Sequence, residues 1–185
     1  MQASSLGAIF VTGVAGCGKS TMGAALAERL QSRFLEGDDY HGPGNVAKMT
    51  SGQPLTDADR WPWLDALGLA AAQAVAAEGI VVASCSALRR SYRERLRVAL
   101  AGRIAFIQLA GSPQEMLRRL GARTAHFMPA SLVDSQFAAF EPIGADEPGL
   151  QLDASAACSS NCDAFMAWLG RTQGRAVPGS SRGEP

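Results

Sequence analysis

The chain has only two lysines, no excess of charge of either sign and no long apolar run. Its 17 basic side chains meet 17 acidic ones, for a formal net charge of zero. A surface that neutralises nucleic-acid phosphates shows as a basic excess or stripe, so no nucleic-acid partner is expected. The densest basic stretch, RRSYRERLR at 89–97, is read as one helical segment with an internal Glu94. The longest weakly polar run, LGLAAAQAVAA at 67–77, is too short to cross a bilayer, which takes about 20 residues. No membrane contact is expected. The opening MQASSLGAIFVTG lacks the basic n-region of a secretion signal. Cys17, Cys85, Cys158 and Cys162 form no CxxC pair, and neither histidine is close in sequence to the last two. Zinc is not expected, and buried or incidental thiols in a reducing cytoplasm are.

What is present suits one domain, since 185 residues can bury a sizeable core. Apolar runs at 7–11, 34–39, 80–87, 103–111 and 149–155 read as strands. Helical patterns fall between them. Met22, Leu26 and Leu30 form a stripe after the first run, and further patterns cover about 59–78, 89–100, 112–120 and 161–170. Ser112, Pro113 and Glu115 spell a helix start with a capping box. Strands alternating with helices predict an α/β fold with a central parallel sheet and helices on both faces. The expected organisation is a single domain over 1–170. The tail 171–185 has almost no apolar content and is expected to be disordered.

One of the two lysines stands in FVTGVAGCGKST at 10–21, where Gly13-Val14-Ala15-Gly16-Cys17-Gly18-Lys19-Ser20 matches G-x-x-x-x-G-K-[ST]. Glycines let successive amides converge on an anion, and the following helix adds its positive end. Lys19 would reach the β- and γ-phosphates, Ser20 would offer its hydroxyl to Mg2+, and Thr21 would lie near the α-phosphate. Nucleotide binding, with ATP and Mg2+, is the expectation. A GTPase is excluded by the missing N-K-x-D, and a motor ATPase is disfavoured because IVVASCSA at 80–87 ends without an acid. LEGDD at 35–39 is then the supplier of carboxylates, an arrangement that small-molecule kinases use.

The segment FLEGDDYHGPGNVAKMTSGQPLTDADRWPWLDAL at 34–67 puts Asp38, His41, Lys48 and Arg60 beyond the end of the second strand. That is the edge where α/β sheets bind ligands. It offers acceptors for hydroxyls and cations for a carboxylate, as a polyhydroxylated acid would need. With GVAGCGKST, CSALRRSYRERLR, RRLGARTAHFMPASLVDSQFAAFEP and GADE in the same order, the chain resembles the short P-loop gluconokinases over roughly 8–155.

That resemblance implies a three-layer P-loop kinase fold with a helical lid at about 119–136, ATP-dependent phosphorylation of D-gluconate and a homodimer. It implies that Asp38 accepts the proton of the 6-hydroxyl, with Lys19 and Arg123 also catalytic. It places His41, Arg60, Arg93 and Gln136 with Asp38 in the acceptor pocket. Arg119 and Arg123 become lid arginines over the ATP phosphates, His126 and Phe127 lie in the same lid, and Ser20 and Glu36 become metal ligands. Two other readings remain at this point: a kinase of another small hydroxylated acid, and a non-catalytic nucleotide or sugar-acid sensor. Cys17 stands where the resembled family has serine, and is expected to react with alkylating agents unless ATP protects it.

Overall fold

The computed structural model describes residues 6–121 and 130–174. Five strands form one parallel sheet: β1 (Ala8–Gly13), β2 (Arg33–Glu36), β3 (Val81–Ser84), β4 (Ile104–Ala110) and β5 (Gly149–Asp153), in the order β2-β3-β1-β4-β5. β1 is central, with Ala8 opposite both Val81 and Ile104. The order reverses beside β1, and the crevice outside the strand ends there is where such sheets take ligands.

Seven α-helices surround the sheet among the described residues: α1 (Lys19–Arg29), α2 (Pro43–Thr50), α3 (Asp57–Glu78), α4 (Arg90–Ala99), α5 (Pro113–Gly121), α6 (Ala130–Ala138) and α7 (Cys158–Gly174). Alternation along the strands divides the core in two. Ala8, Phe10, Val81, Ala83, Ile104 and Phe106 face Leu64, Leu67 and Ala71 of α3 with Tyr92 and Leu96 of α4. Ile9, Val11, Val82, Ala105 and Ile107 face Met22 and Leu26 of α1, Met116 of α5 and Phe165 of α7. A sheet apolar on both faces must be covered on both, which gives the expected three layers.

The helix α3 starts two residues earlier than its pattern suggests, because Thr56 and Asp59 close a full capping box. The box at Ser112 is only half made: Glu115 N–H donates to Ser112 Oγ, but the Glu115 carboxylate turns to Arg118 and Arg119. HGPGN at 41–45 opens α2, with Gly42 as N-cap and Pro43 in the first turn. The helix α7 runs to Gly174, past 161–170 and into the segment expected to be disordered; residues 175–185 lie outside the described residues. No helix among the described residues is long and apolar enough to cross a membrane.

Candidate active site

The loop between β1 and α1 is shaped for an anion. Gly16 and Gly18 take φ of 80° and 97°, and Gly18 is the N-cap of α1. These left-handed conformations turn consecutive amides to one side, which glycine does without steric cost. Lys19 arches back over the loop, its ammonium donating to the Val14 carbonyl at 3.0 Å.

Two clefts open on either side of this loop and share Gly16 and Gly18. The first, of about 140 Å3, is lined by Lys19 and Ser20 of the loop, by Asp38, His41, Arg60 and Trp63 across from them, and by Gln136 of α6. Six residues expected from the sequence thus meet in one place: Lys19, Ser20, Asp38, His41, Arg60 and Gln136. The second cleft, of about 340 Å3, is lined by Cys17, Thr21, Arg118, Arg119, Ala154, Ala156, Cys158 and Asn161.

Asp38 reaches the first cleft because a single 3-10 turn, Gly37–Tyr40, follows β2 at once. Gly37 makes that turn possible, since a Cβ there would lie 2.0 Å from the Ser84 carbonyl oxygen. The Gly37 carbonyl is held by the buried Trp63 indole N–H at 2.7 Å. Trp63 also stacks on His41, with centroids 4.2 Å apart and planes 16° from parallel. Asn45 Nδ2 donates to the Asp59 carbonyl at 2.9 Å and lies 3.2 Å from His41 Nδ1. An amide nitrogen only donates, so Nδ1 is the acceptor and the proton sits on Nε2. Burial holds the imidazole below the usual histidine range, against the opposing pull of Asp38 and with a smaller push from Arg60.

Arg60 is fixed from behind. Its Nη1 donates to the Tyr92 hydroxyl at 3.2 Å, and its Cζ stands 5.5 Å from the ring centroid. The Tyr92 hydroxyl donates in turn to Asp57, which also pairs with Arg89. Lys48 is taken up by Asp59 at 2.6 Å and does not line the first cleft. In the second cleft, Arg119 donates to Glu115 at 2.7 Å and to the Ala154 carbonyl at 2.9 Å. The guanidiniums of Arg118 and Arg119 hold the Glu115 carboxyl down at about 2.

A family model described as an AAA domain matches residues 9–128, so the chain belongs to that broad family. A gluconokinase of Gluconobacter oxydans is 48% identical over 144 residues, 78% of this chain and 80% of that one. Among solved structures, a gluconokinase from Sinorhizobium meliloti 1021 superposes with a TM-score of 0.83 at 41% identity, covering 92% of this chain and 95% of that one. A sugar kinase from a Janibacter species follows, at a TM-score of 0.82 and 36% identity, covering 93% of this chain and 99% of that one. The chain belongs to the gluconokinase family. It is a P-loop kinase, and nucleotide binding comes with that membership.

Three expectations for this gluconokinase-family chain change with the structure. Arg93 does not enter either cleft. It is 1% exposed, and its guanidinium donates to Glu147 twice and to the carbonyls of Ala87, Leu88, Glu141 and Pro142. All five N–H groups are thereby engaged, leaving none for a substrate. Glu36 lines neither cleft; its carboxylate accepts the Ser84 hydroxyl. Cys17 is 2% exposed, so its sulfur is shielded from alkylating agents, whereas Cys158 is the partly exposed thiol. Burial pushes the Cys85 thiol up to about 12, which removes it as a nucleophile. Arg123, His126 and Phe127 lie outside the described residues.

Sequence reasoning missed Trp63, Ser86 and Asn45 beside the acceptor residues and Ala156, Cys158 and Asn161 across from Thr21. Trp63 carried a signal, an aromatic in the first turns of a helix that begins with acids. Asn161 carried none, because its amide only finds the Asp153 carbonyl once α7 folds back.

Proposed function

We propose that the protein transfers the γ-phosphoryl group of ATP to the 6-hydroxyl of D-gluconate, giving ADP and 6-phospho-D-gluconate. The observation that carries this is the phosphate loop standing between two clefts, one bearing Asp38, His41 and Arg60 and the other Thr21 and Arg119. Such a reaction needs two substrates meeting in line over the loop, with charge neutralised and a local acceptor for one proton.

In this reading ATP lies in the second cleft and its phosphates cross the glycine loop. The loop amides from Gly16 to Thr21 hold the phosphate oxygens, Lys19 leaves the Val14 carbonyl for them, and Arg119 and Arg123 add positive charge from the lid at about 119–136. Gluconate lies in the first cleft. Arg60 pairs with its carboxylate, and the neutral His41 donates from Nε2 to an oxygen of the sugar acid. Asp38 orients the 6-hydroxyl and takes its proton as the new O–P bond forms and the bond to ADP breaks.

The Ser20 hydroxyl, which lines the first cleft beside Lys19, is an oxygen donor that suits Mg2+. Mg2+ binds through one or two carboxylates plus substrate phosphates, with no cage of its own. When bound it would neutralise the β- and γ-oxygens. The reading also takes 1–170 as one domain in a cytoplasmic homodimer, with gluconate as its partner and neither membrane nor nucleic acid.

The test is ADP release with MgATP across gluconate, shikimate, other aldonates and no acceptor. The expected result is turnover with gluconate alone. In Asp38→Asn, kcat should fall by about 10²–10⁴ with nucleotide binding retained, the range for removal of a general base. Preference for another hydroxy acid would move the specificity, and binding without turnover on any acceptor would make the protein a sensor.

A further inference from the structure

Gln136 is grouped by sequence resemblance with the acceptor-binding residues, but its side chain is turned to the phosphate loop. Its Oε1 accepts the Ala15 backbone N–H at 2.6 Å, across 121 residues of chain. Ala15 is only 9% exposed, so this amide has little access to water and depends on a protein acceptor.

The surroundings make that bond a coupling point. Ala15 packs with Leu120 of α5 and with Val133 and Phe137 of α6. Gly16 sits equally close, since a Cβ there would meet the Leu120 side chain at 3.0 Å and the Met116 carbonyl at 3.2 Å. The crest of the loop is therefore clamped between the two helices that flank 122–129. The apolar contacts of this clamp are non-directional and allow sliding. The Gln136–Ala15 hydrogen bond is directional and fixes the register of α6 against the loop.

We infer that Gln136 is a positioning residue for phosphoryl transfer: it holds the Ala15 amide and so sets the crest of the phosphate loop against the helix that follows the lid segment. Binding of ATP alone needs the anion nest and the second cleft, which Gln136 does not line. Transfer needs the γ-phosphate in line with the acceptor, and a loop shifted by a fraction of an ångström loses that alignment. Removing the acceptor oxygen should therefore lower kcat and spare both Michaelis constants.

The inference rests on the gluconate kinase activity proposed above, which the parent chain's own gluconate-dependent ADP release tests separately. The experiment compares the parent with Gln136→Met, which keeps length and packing but has no strong acceptor. A second pair, Ala15→Pro and Ala15→Pro/Gln136→Met, removes the donor first. Expected are a fall in kcat of tenfold or more in Gln136→Met, KM values for ATP and gluconate within threefold of the parent, and no further fall when Gln136→Met is added to Ala15→Pro. An unchanged kcat in Gln136→Met overturns the inference. So does a rise in gluconate KM at constant kcat, which would return Gln136 to the acceptor pocket. An equal loss in both backgrounds also overturns it, because the effect would then not pass through the Ala15 amide.

Discussion

His41 shows how one side chain acquires its state from its neighbours. Trp63 stacks on its ring, the Asn45 contact puts its proton on Nε2, and burial lowers its proton affinity. Above the usual histidine value of about 6.5 the ring is neutral in both folded and unfolded chains. Below it, the unfolded chain takes up a proton that the folded chain refuses until its own lower value is reached. Stability should therefore drop as pH falls through this window. Thermal midpoints of the parent and of His41→Gln between about pH 7 and about pH 5 check it. The parent should lose more on acidification, and parallel curves would mean that the ring is protonated alike in both states. The type of residue and its place beyond β2 were legible in the sequence. Its tautomer was not, since that depends on an amide in α2 held by a carbonyl in α3.

At the scale of elements, the turn between β2 and α2 places Asp38, and Gly37 permits the turn. The chain passes so close to the end of β3 that a Cβ at Gly37 would overlap the Ser84 carbonyl at 2.0 Å and the Cys85 Cβ at 2.9 Å. Ser84 ends β3 and Cys85 follows it directly, and neither a backbone oxygen nor a Cβ can rotate away. Gly37→Ala should cost about 1–3 kcal/mol or more, the range for overpacking a tight site. It should also lower gluconate turnover, because relief requires moving the Asp38 turn. Denaturant midpoints together with kcat test this, and wild-type values for both would show that the strands separate easily. Strand and helix types were readable because their apolar periods differ. The helix α2 was not, because none of its residues is buried and its sequence has little apolar pattern to display.

Across the whole molecule, Arg93 joins α4 to the segment between α6 and β5. It lies 54 residues from Glu147 and is buried with it, the two side chains being 1% and 10% exposed. Breaking such a pair from one side leaves an uncompensated charge and costs about 3–5 kcal/mol. Arg93→Ala should be destabilised by that amount in chemical denaturation, and the fraction that folds should keep the parent's KM for gluconate. A raised KM at unchanged stability would restore the substrate role suggested by the sequence. The amino-acid sequence by itself determined the parallel α/β class, the phosphate loop and the group of polar residues after β2. All of these rest on local spacing, where neighbours along the chain are neighbours in space. Only the tertiary structure decided that Arg93 serves the scaffold, that Glu36 accepts the Ser84 hydroxyl and that Gln136 grips the loop. A guanidinium or an amide is chemically fit for either task. Which partner it meets, across 54 residues for Arg93 and 121 for Gln136, is set by how the helices pack on the sheet.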